Sequence, residues 1–226
     1  MRYGKVISGK FISRPNRFIA YVEIDGKTEI CHVKNTGRCR EILVPGAVVY
    51  LEVSDNPERK TKYDLIAVEK GNLLINMDSQ APNKVFREWA SSSGFFGSSP
   101  AIFPERKYGS SRFDFYIESE GRRIFVEVKG VTLENNGIAK FPDAPTKRGA
   151  KHLRELSSAI SEGYEAYVFF IIQMKGVSVF VPNEDRDPGF ARELRAAKAN
   201  GVGIFALDSV VTPDTLIADA FVKVEI

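Results

Sequence analysis

The stretch Arg112–Gly130, RFDFYIESEGRRIFVEVKG, decides how this chain is read. Apolar and polar residues alternate on both sides of a polar turn that contains Gly121, the period-two signature of a β-hairpin. With the turn centred on Glu120-Gly121, Ser119 pairs with Arg122, and counting outward sets Asp114 directly opposite Glu127. Facing residues on paired strands have Cβ atoms about 4.5–5.5 Å apart, so two carboxylates there repel each other. A divalent cation turns that repulsion into chelation.

Lys129 lies two residues beyond Glu127, and side chains on a strand alternate, so both project from one face. Val126 and Val128 point the other way, into what reads as the buried side, which leaves the chemistry on the exposed side. A hard cation, Mg2+ or Mn2+, held by Asp114 and Glu127 suits phosphodiester hydrolysis, with the Lys129 ammonium orienting water or offsetting charge on the phosphate. The plain alternative is an amphipathic hairpin whose lysine makes a surface ion pair of small worth.

Working outward, residues 1–82 and 83–226 read as two domains. The first holds five short strand patterns, KVISGKFI, RFIAYVEI, KTEICHVK, AVVYLEVS and YDLIAVEK, separated by turns such as Asp25-Gly26, Asn35-Thr36-Gly37 and Pro45-Gly46. Five strands in so few residues predict an OB-like barrel, an architecture that binds single-stranded nucleic acid on aromatic and basic surface. Arg14, Arg17, Lys34 and Arg38 are its candidate nucleic-acid contacts. Phe18 and Tyr21 read as barrel core in preference to base-stacking platforms.

The second domain opens with a short helix, KVFREWASS, after a boundary at Ala81-Pro82-Asn83, and then mixes strands and helices in an α/β pattern. Thr146 is placed to cap a helix KRGAKHLRELSSAISEG, whose first turns carry Lys147, Arg148, Lys151 and His152 as further candidate contacts to phosphate. The strand EAYVFFIIQ that follows is apolar almost throughout, as a strand covered on both faces should be, and its end sets Gln173 near the sheet's edge.

Composition sets outer bounds. The 226 residues carry a net charge of +3, with 13 Lys and Arg against 10 Asp and Glu before residue 84 and 19 of each after it. That bias is too mild to announce nucleic-acid binding unaided. No apolar run has membrane-spanning length and no secretory leader is evident, which makes the cytoplasm the expected location. Cys31 and Cys39 fit no common zinc spacing and read as thiols in a reducing compartment.

At SRFDF (Ser111–Phe115), EVKGVTL (Glu127–Leu133) and FPDAPTKRGAKHLREL (Phe141–Leu156), with NRF at Asn16–Phe18, NTGR at Asn35–Arg38 and Pro45-Gly46, the chain resembles the sugar fermentation stimulation protein A family along its whole length. The resemblance implies an α+β two-domain protein, an OB-like barrel joined to a restriction-endonuclease-like domain of the PD-(D/E)XK class, and DNA as partner. By motif it makes Asp114 and Glu127 metal ligands and Lys129 the catalytic lysine. The further acid that an early element of this class often supplies has two candidates, Glu88 and the preferred Glu105, just upstream of SRFDF. Two functions follow: a metal-dependent nuclease, or a non-catalytic, sequence-nonspecific DNA-binding regulatory protein that retains the nuclease scaffold. RNA as substrate stays open on sequence alone, as does oligomeric state, with a homodimer the assembly to test.

Overall fold

The structure, a computed structural model, describes residues 1–35 and 37–226. The turn expected at Asn35-Thr36-Gly37 includes Thr36, which lies outside the described residues. Five strands at the N-terminus close on one another: β1 (Val6–Ser13), β2 (Ile19–Ile24), β3 (Lys27–Val33), β4 (Val48–Val53) and β5 (Tyr63–Lys70). They run in the order β3-β2-β1-β4-β5, and parallel pairing of Cys31 with Tyr63 through Val33 with Leu65 joins β3 to β5. Closure removes the free edges that would invite aggregation. Alternation sorts β2, with Ala20, Val22 and Ile24 inward and Ile19, Tyr21 and Glu23 outward. A short sixth strand, β6 (Leu73–Asn76), pairs antiparallel with β5, beyond the five strands the sequence predicts.

A helix, α1 (Ala81–Ser92), opens the second domain, with Pro82 in its first turn, where a missing N–H costs nothing. Among the described residues this domain has one nine-stranded sheet. Its members are β7 (Ala101–Tyr108), β8 (Ser111–Ser119), β9 (Arg122–Val131), β10 (Leu133–Asn135), β11 (Ile138–Phe141), β12 (Glu165–Ile172), β13 (Val179–Pro182), β14 (Gly203–Thr212) and β15 (Thr215–Val224). The spatial order is β10-β11-β13-β15-β14-β12-β9-β8-β7. Helices α2 (Lys147–Ser161) and α3 (Pro188–Ala199) contribute Leu153, Leu156, Phe190 and Leu194 to one core, which includes the barrel interior. A second core lies between the sheet and α1, built from Val85, Phe86, Phe115, Val126, Val128 and Phe169.

The hairpin β8–β9 forms as its sequence requires. Ser119 pairs with Arg122, and Glu120 and Gly121 take φ of 52° and 78°, the left-handed pair of a tight two-residue turn. Strand β12 pairs in parallel with both β9 and β14 and is buried on both faces from Val168 to Ile172. Gln173 therefore ends a central strand, and the edge position expected for it is wrong. Its carboxamide is buried at the junction with the barrel, donating to Asn76 Oδ1 at 2.9 Å and to the Asp78 carbonyl at 3.0 Å. Asn76 in turn donates to the Tyr3 hydroxyl at 2.8 Å, so the buried amides that bridge the domains are bonded to each other. Gly130 is needed beside this network, since a Cβ there would come within 2.6 Å of Gln173 Oε1 and 2.7 Å of Pro82 Cγ.

Candidate metal centre and nucleic-acid interface

Strand β9 brings Glu127 and Lys129 out on the face covered by α2, while Val126 and Val128 enter the core under α1. The expected split of faces holds, but the chemical face is not exposed. Helix α2 lies over it, held at its start by Thr146, whose hydroxyl accepts from the Gly149 N–H at 3.0 Å. Glu127 is 3% exposed and Lys129 remains half-buried. A bare carboxylate cannot be taken out of water without partners. Glu127 Oε1 receives two, the Lys129 ammonium and His152 Nδ1 at 2.6 Å. Its other oxygen, Oε2, is buried with no hydrogen-bond partner among the described residues.

Asp114 reaches the same place by a local break in β8. The counted register holds to Phe115 opposite Val126, and the ladder stops there, so Asp114 and Glu127 are not a ladder pair. Phe113 packs against Phe125 and His152, whereas Phe115 packs against Phe86 of α1, so residues two apart lie on opposite sides of the sheet. The change of side turns the Asp114 carboxylate toward the start of α1 and the backbone of β9. Oδ1 accepts from Asn83 Nδ2 at 2.9 Å and Oδ2 accepts from the Val128 N–H at 2.8 Å.

The two acids titrate in opposite directions. Burial and the nearby Glu127 charge raise Asp114 above the usual carboxylate range, against the pull of Lys129 and its hydrogen bonds. Burial also pushes Glu127 up, but the charge of Lys129 and the His152 hydrogen bond outweigh it and leave Glu127 below its ordinary value. At neutral pH this holds one firm carboxylate beside one that gains from a cation.

Three expected contacts sit elsewhere than the sequence suggested. His152 is 4% exposed and bonded to Glu127, with Arg148 Nε 3.4 Å from its other nitrogen, so both ring nitrogens face side chains of the protein. Arg14 donates from its two terminal nitrogens to the carbonyls of Arg17, Asn35, Gly37 and Arg38 at 2.5–3.0 Å, which ties two loops together. Lys34 is ringed by Glu52, Asp64 and Asp78 at 3.2, 3.8 and 3.4 Å, a structural ion cluster. Glu105 does not join the two acids either. It has φ of 54° on the edge strand β7, its side chain is 73% exposed, and it pairs with Arg112. Glu88 is exposed beside the N-terminal amine. Among the described residues no group of three His, Cys, Asp or Glu side chains converges on one point.

The remaining cations do gather. Lys107, Arg112, Lys147, Arg148 and Lys151 line a cleft of about 630 Å³ that has His152 in its wall, next to Glu127. On the barrel, Arg17, Arg38 and Arg40 border a smaller cleft of about 220 Å³. Phe18 is 55% exposed and Tyr21 half-buried on the outer face, so neither is the core residue expected. Asn83 is the functional candidate that sequence reading passed over, since in Ala81-Pro82-Asn83 it signals only a boundary.

Comparisons agree with this architecture. The family model described as "SfsA N-terminal OB domain" matches residues 12–77, and that described as "Sugar fermentation stimulation protein RE domain" matches residues 80–215. A sugar fermentation stimulation protein homolog of Desulfitobacterium hafniense is 60% identical over 226 residues, covering 100% of this chain and 99% of its own. The Clostridium beijerinckii homolog is 58% identical, covering 96% of each. Among solved structures, "The structure of Pyrococcus Furiosus SfsA in complex with Ca2+" matches with a TM-score of 0.90 at 30% identity, over 100% of this chain and 98% of that one. No helix among the described residues is long and apolar enough to cross a membrane.

Proposed function

The chain belongs to the sugar fermentation stimulation protein family, and on that footing we propose that it is a divalent-metal-dependent nuclease acting on DNA, with the hairpin acids as its centre. The observation that carries this reading is Glu127 Oε2, buried and unpartnered beside Lys129 and Asp114, itself raised by burial and by the Glu127 charge. Leaving such an atom unmatched costs roughly 1–3 kcal/mol or more, a cost that a cation at Oε2 offsets. Hard oxygen donors on Asp114 and Glu127 fit Mg2+ or Mn2+, which take one or two carboxylates and complete their shells with water and phosphate. The Pyrococcus furiosus relative was solved with Ca2+, another oxygen-seeking ion, which supports the same donor chemistry here.

A bound ion of this kind supplies polarisation of the phosphoryl oxygen and of the attacking water. The chain's own residues do the rest. His152 and Lys129 fix Glu127 through Oε1, which keeps Oε2 free, and Asn83 with the Val128 N–H fixes Asp114. Lys129 carries the positive charge nearest the acids and offsets charge growing on the phosphate. Lys147, Arg148 and Lys151 hold the backbone of the substrate in the adjoining cleft. Cleavage of single-stranded, duplex and branched DNA and RNA, assayed with Mg2+ or Mn2+ and with EDTA, tests the proposal. Metal-dependent scission of DNA is expected. Its absence on every substrate, with binding intact, leaves the chain a DNA-binding protein on a nuclease scaffold.

A further inference from the structure

We infer that the cleft lined by Lys107, Arg112, Lys147, Arg148 and Lys151 is a blind pocket for the terminal phosphate of a nucleic-acid strand, so that the substrate of the proposed nuclease is taken by its end. Cleavage from that end rests on the nuclease reading, and recognition of the end does not. Two walls make the cleft, the turn between β7 and β8 with its flanks on one side and the first turns of α2 on the other. At the back the walls are tied together. The Ser110 hydroxyl donates to Glu155 Oε1 at 2.8 Å, and the Lys151 ammonium reaches the Ser110 carbonyl at 3.4 Å and Glu155 at 4.0 Å. Ser110 and Lys151 line the space with Glu155 behind them, so a strand laid in the cleft meets this tie and ends there.

The charge of the pocket suits a terminus better than an internal link. Lys107, Lys147 and Arg148 have no carboxylate partner among the described residues, and Arg112 has only the exposed Glu105 at 3.2 Å, a pair of little worth. An internal phosphodiester carries one negative charge, whereas a phosphomonoester approaches two at neutral pH and presents three accepting oxygens. Five cations around about 630 Å³, the scale of a small-molecule pocket, match the second. A hydroxyl in the wall adds a donor. Ser111 is 7% exposed and lines the cleft, and its Oγ makes no hydrogen bond of normal geometry among the described residues, although Glu155 is near. Burial of that hydroxyl unmatched is a cost to folding that a phosphate oxygen offsets, since the proton can rotate to meet it.

The pocket also fixes where the cut falls. Ser111 and Asp114 are three residues apart on β8, about 10 Å along the strand, and stacked nucleotides advance about 3.4 Å each. With the terminal phosphate at Ser111, the phosphodiester that reaches the acids is about the third from the end. Water oxygen bonds to its phosphorus, the P–O bond to the leaving sugar oxygen breaks, and that oxygen takes the proton. Short fragments leave from the terminus.

The test titrates the full chain in EDTA, by anisotropy, into oligothymidine labelled at one end and carrying either a phosphate or a hydroxyl at the other. Both polarities are measured, free and annealed to oligodeoxyadenosine. Phosphate at one of the two ends should tighten binding ~10-fold or more over hydroxyl. Ser111→Ala and Lys151→Gln should each shrink that ratio, and Ser111→Thr should restore part of what Ser111→Ala loses. With Mn2+, linear strands should lose fragments of about three nucleotides from the phosphorylated end while covalently closed circles survive. Equal affinity for phosphate and hydroxyl at both ends overturns the pocket, as does an end preference untouched in both variants when they melt as wild type does. Scission of circles as fast as linear strands also overturns it. Preference for the phosphorylated end without cleavage of any substrate leaves the pocket standing and removes the nuclease, and cleavage indifferent to the terminal phosphate does the reverse.

Discussion

Two half-buried clusters of acid and base, one on the barrel and one on the hairpin, look alike in composition and differ in how completely they are matched. On the barrel, Asp64 accepts from both Arg59 nitrogens at 2.7 and 2.8 Å, faces His32 at 2.9 Å, and has Lys34 at 3.8 Å. Although burial pushes Asp64 up, its hydrogen bonds with Arg59 and His32 hold it below the ordinary range. On the hairpin, Glu127 has both its side-chain partners, Lys129 and His152, on one oxygen and none on the other, and Asp114 beside it is raised. Matched charge holds a fold together, and mismatched charge is held in place by the fold. The larger of the two charge-lined clefts adjoins the second cluster through His152.

The largest separation between the clusters is expected in cleavage. Asp114→Ala or Glu127→Ala should reduce metal-dependent scission to background while DNA binding in EDTA is kept or strengthened, because unscreened acids repel phosphate. Lys34→Met should leave cleavage unchanged. Loss of cleavage by Lys34→Met in a protein that melts normally would erase the distinction. Within the hairpin cluster, Lys129→Ala should lower turnover by about 10²–10³ with metal affinity retained, as expected of a group that acts on charge and does not ligate. Calorimetric titration with Mn2+ separates the two effects.

His152→Ala should cost about 10–100-fold in metal affinity or activity, because the free rotation of Glu127 loses the orientation that a hydrogen bond provides. His152→Asn, which can still donate near the same position, should recover part of it, and a packing role alone would give no such rescue. On stability the order reverses. Lys34→Met removes the ammonium shared by Glu52, Asp64 and Asp78 and should destabilise by about 1–3 kcal/mol in chemical denaturation.

Asp114→Asn should have the smallest effect and the opposite sign. A carboxylate raised by folding contributes stability that is full below its unfolded value and is lost as pH rises through its folded value. The variant should therefore melt above wild type near neutral pH in metal-free buffer, with the gap closing in acid. Glu127, which is lowered, behaves the other way, contributing above its ordinary value and losing that as pH falls. A variant Asp114→Asn that melts below wild type at neutral pH would show that the pair is matched after all.

Sequence by itself determined the local geometry. Alternation about Glu120-Gly121 gave the hairpin and its register to Phe115 and Val126, and five alternating segments gave the barrel strands. Thr146 marked the start of α2, and unbroken apolarity marked β12 as a covered strand. Each of these signals acts between residues one to four apart, which is the reach of strand pleat, turn and helix. Only the tertiary structure decided which charges are free. Glu127 is bonded by a histidine 25 residues away, Asp114 by an asparagine 31 away, and Arg14 by carbonyls up to 24 away. Nothing in a run of Lys, Arg and His tells which member will be buried against an acid, because burial depends on what packs above it. By residue type alone Arg14, Lys34 and His152 suit phosphate and Phe18 suits a core, whereas the closed chain turns the first three onto its own carbonyls and carboxylates and leaves Phe18 exposed.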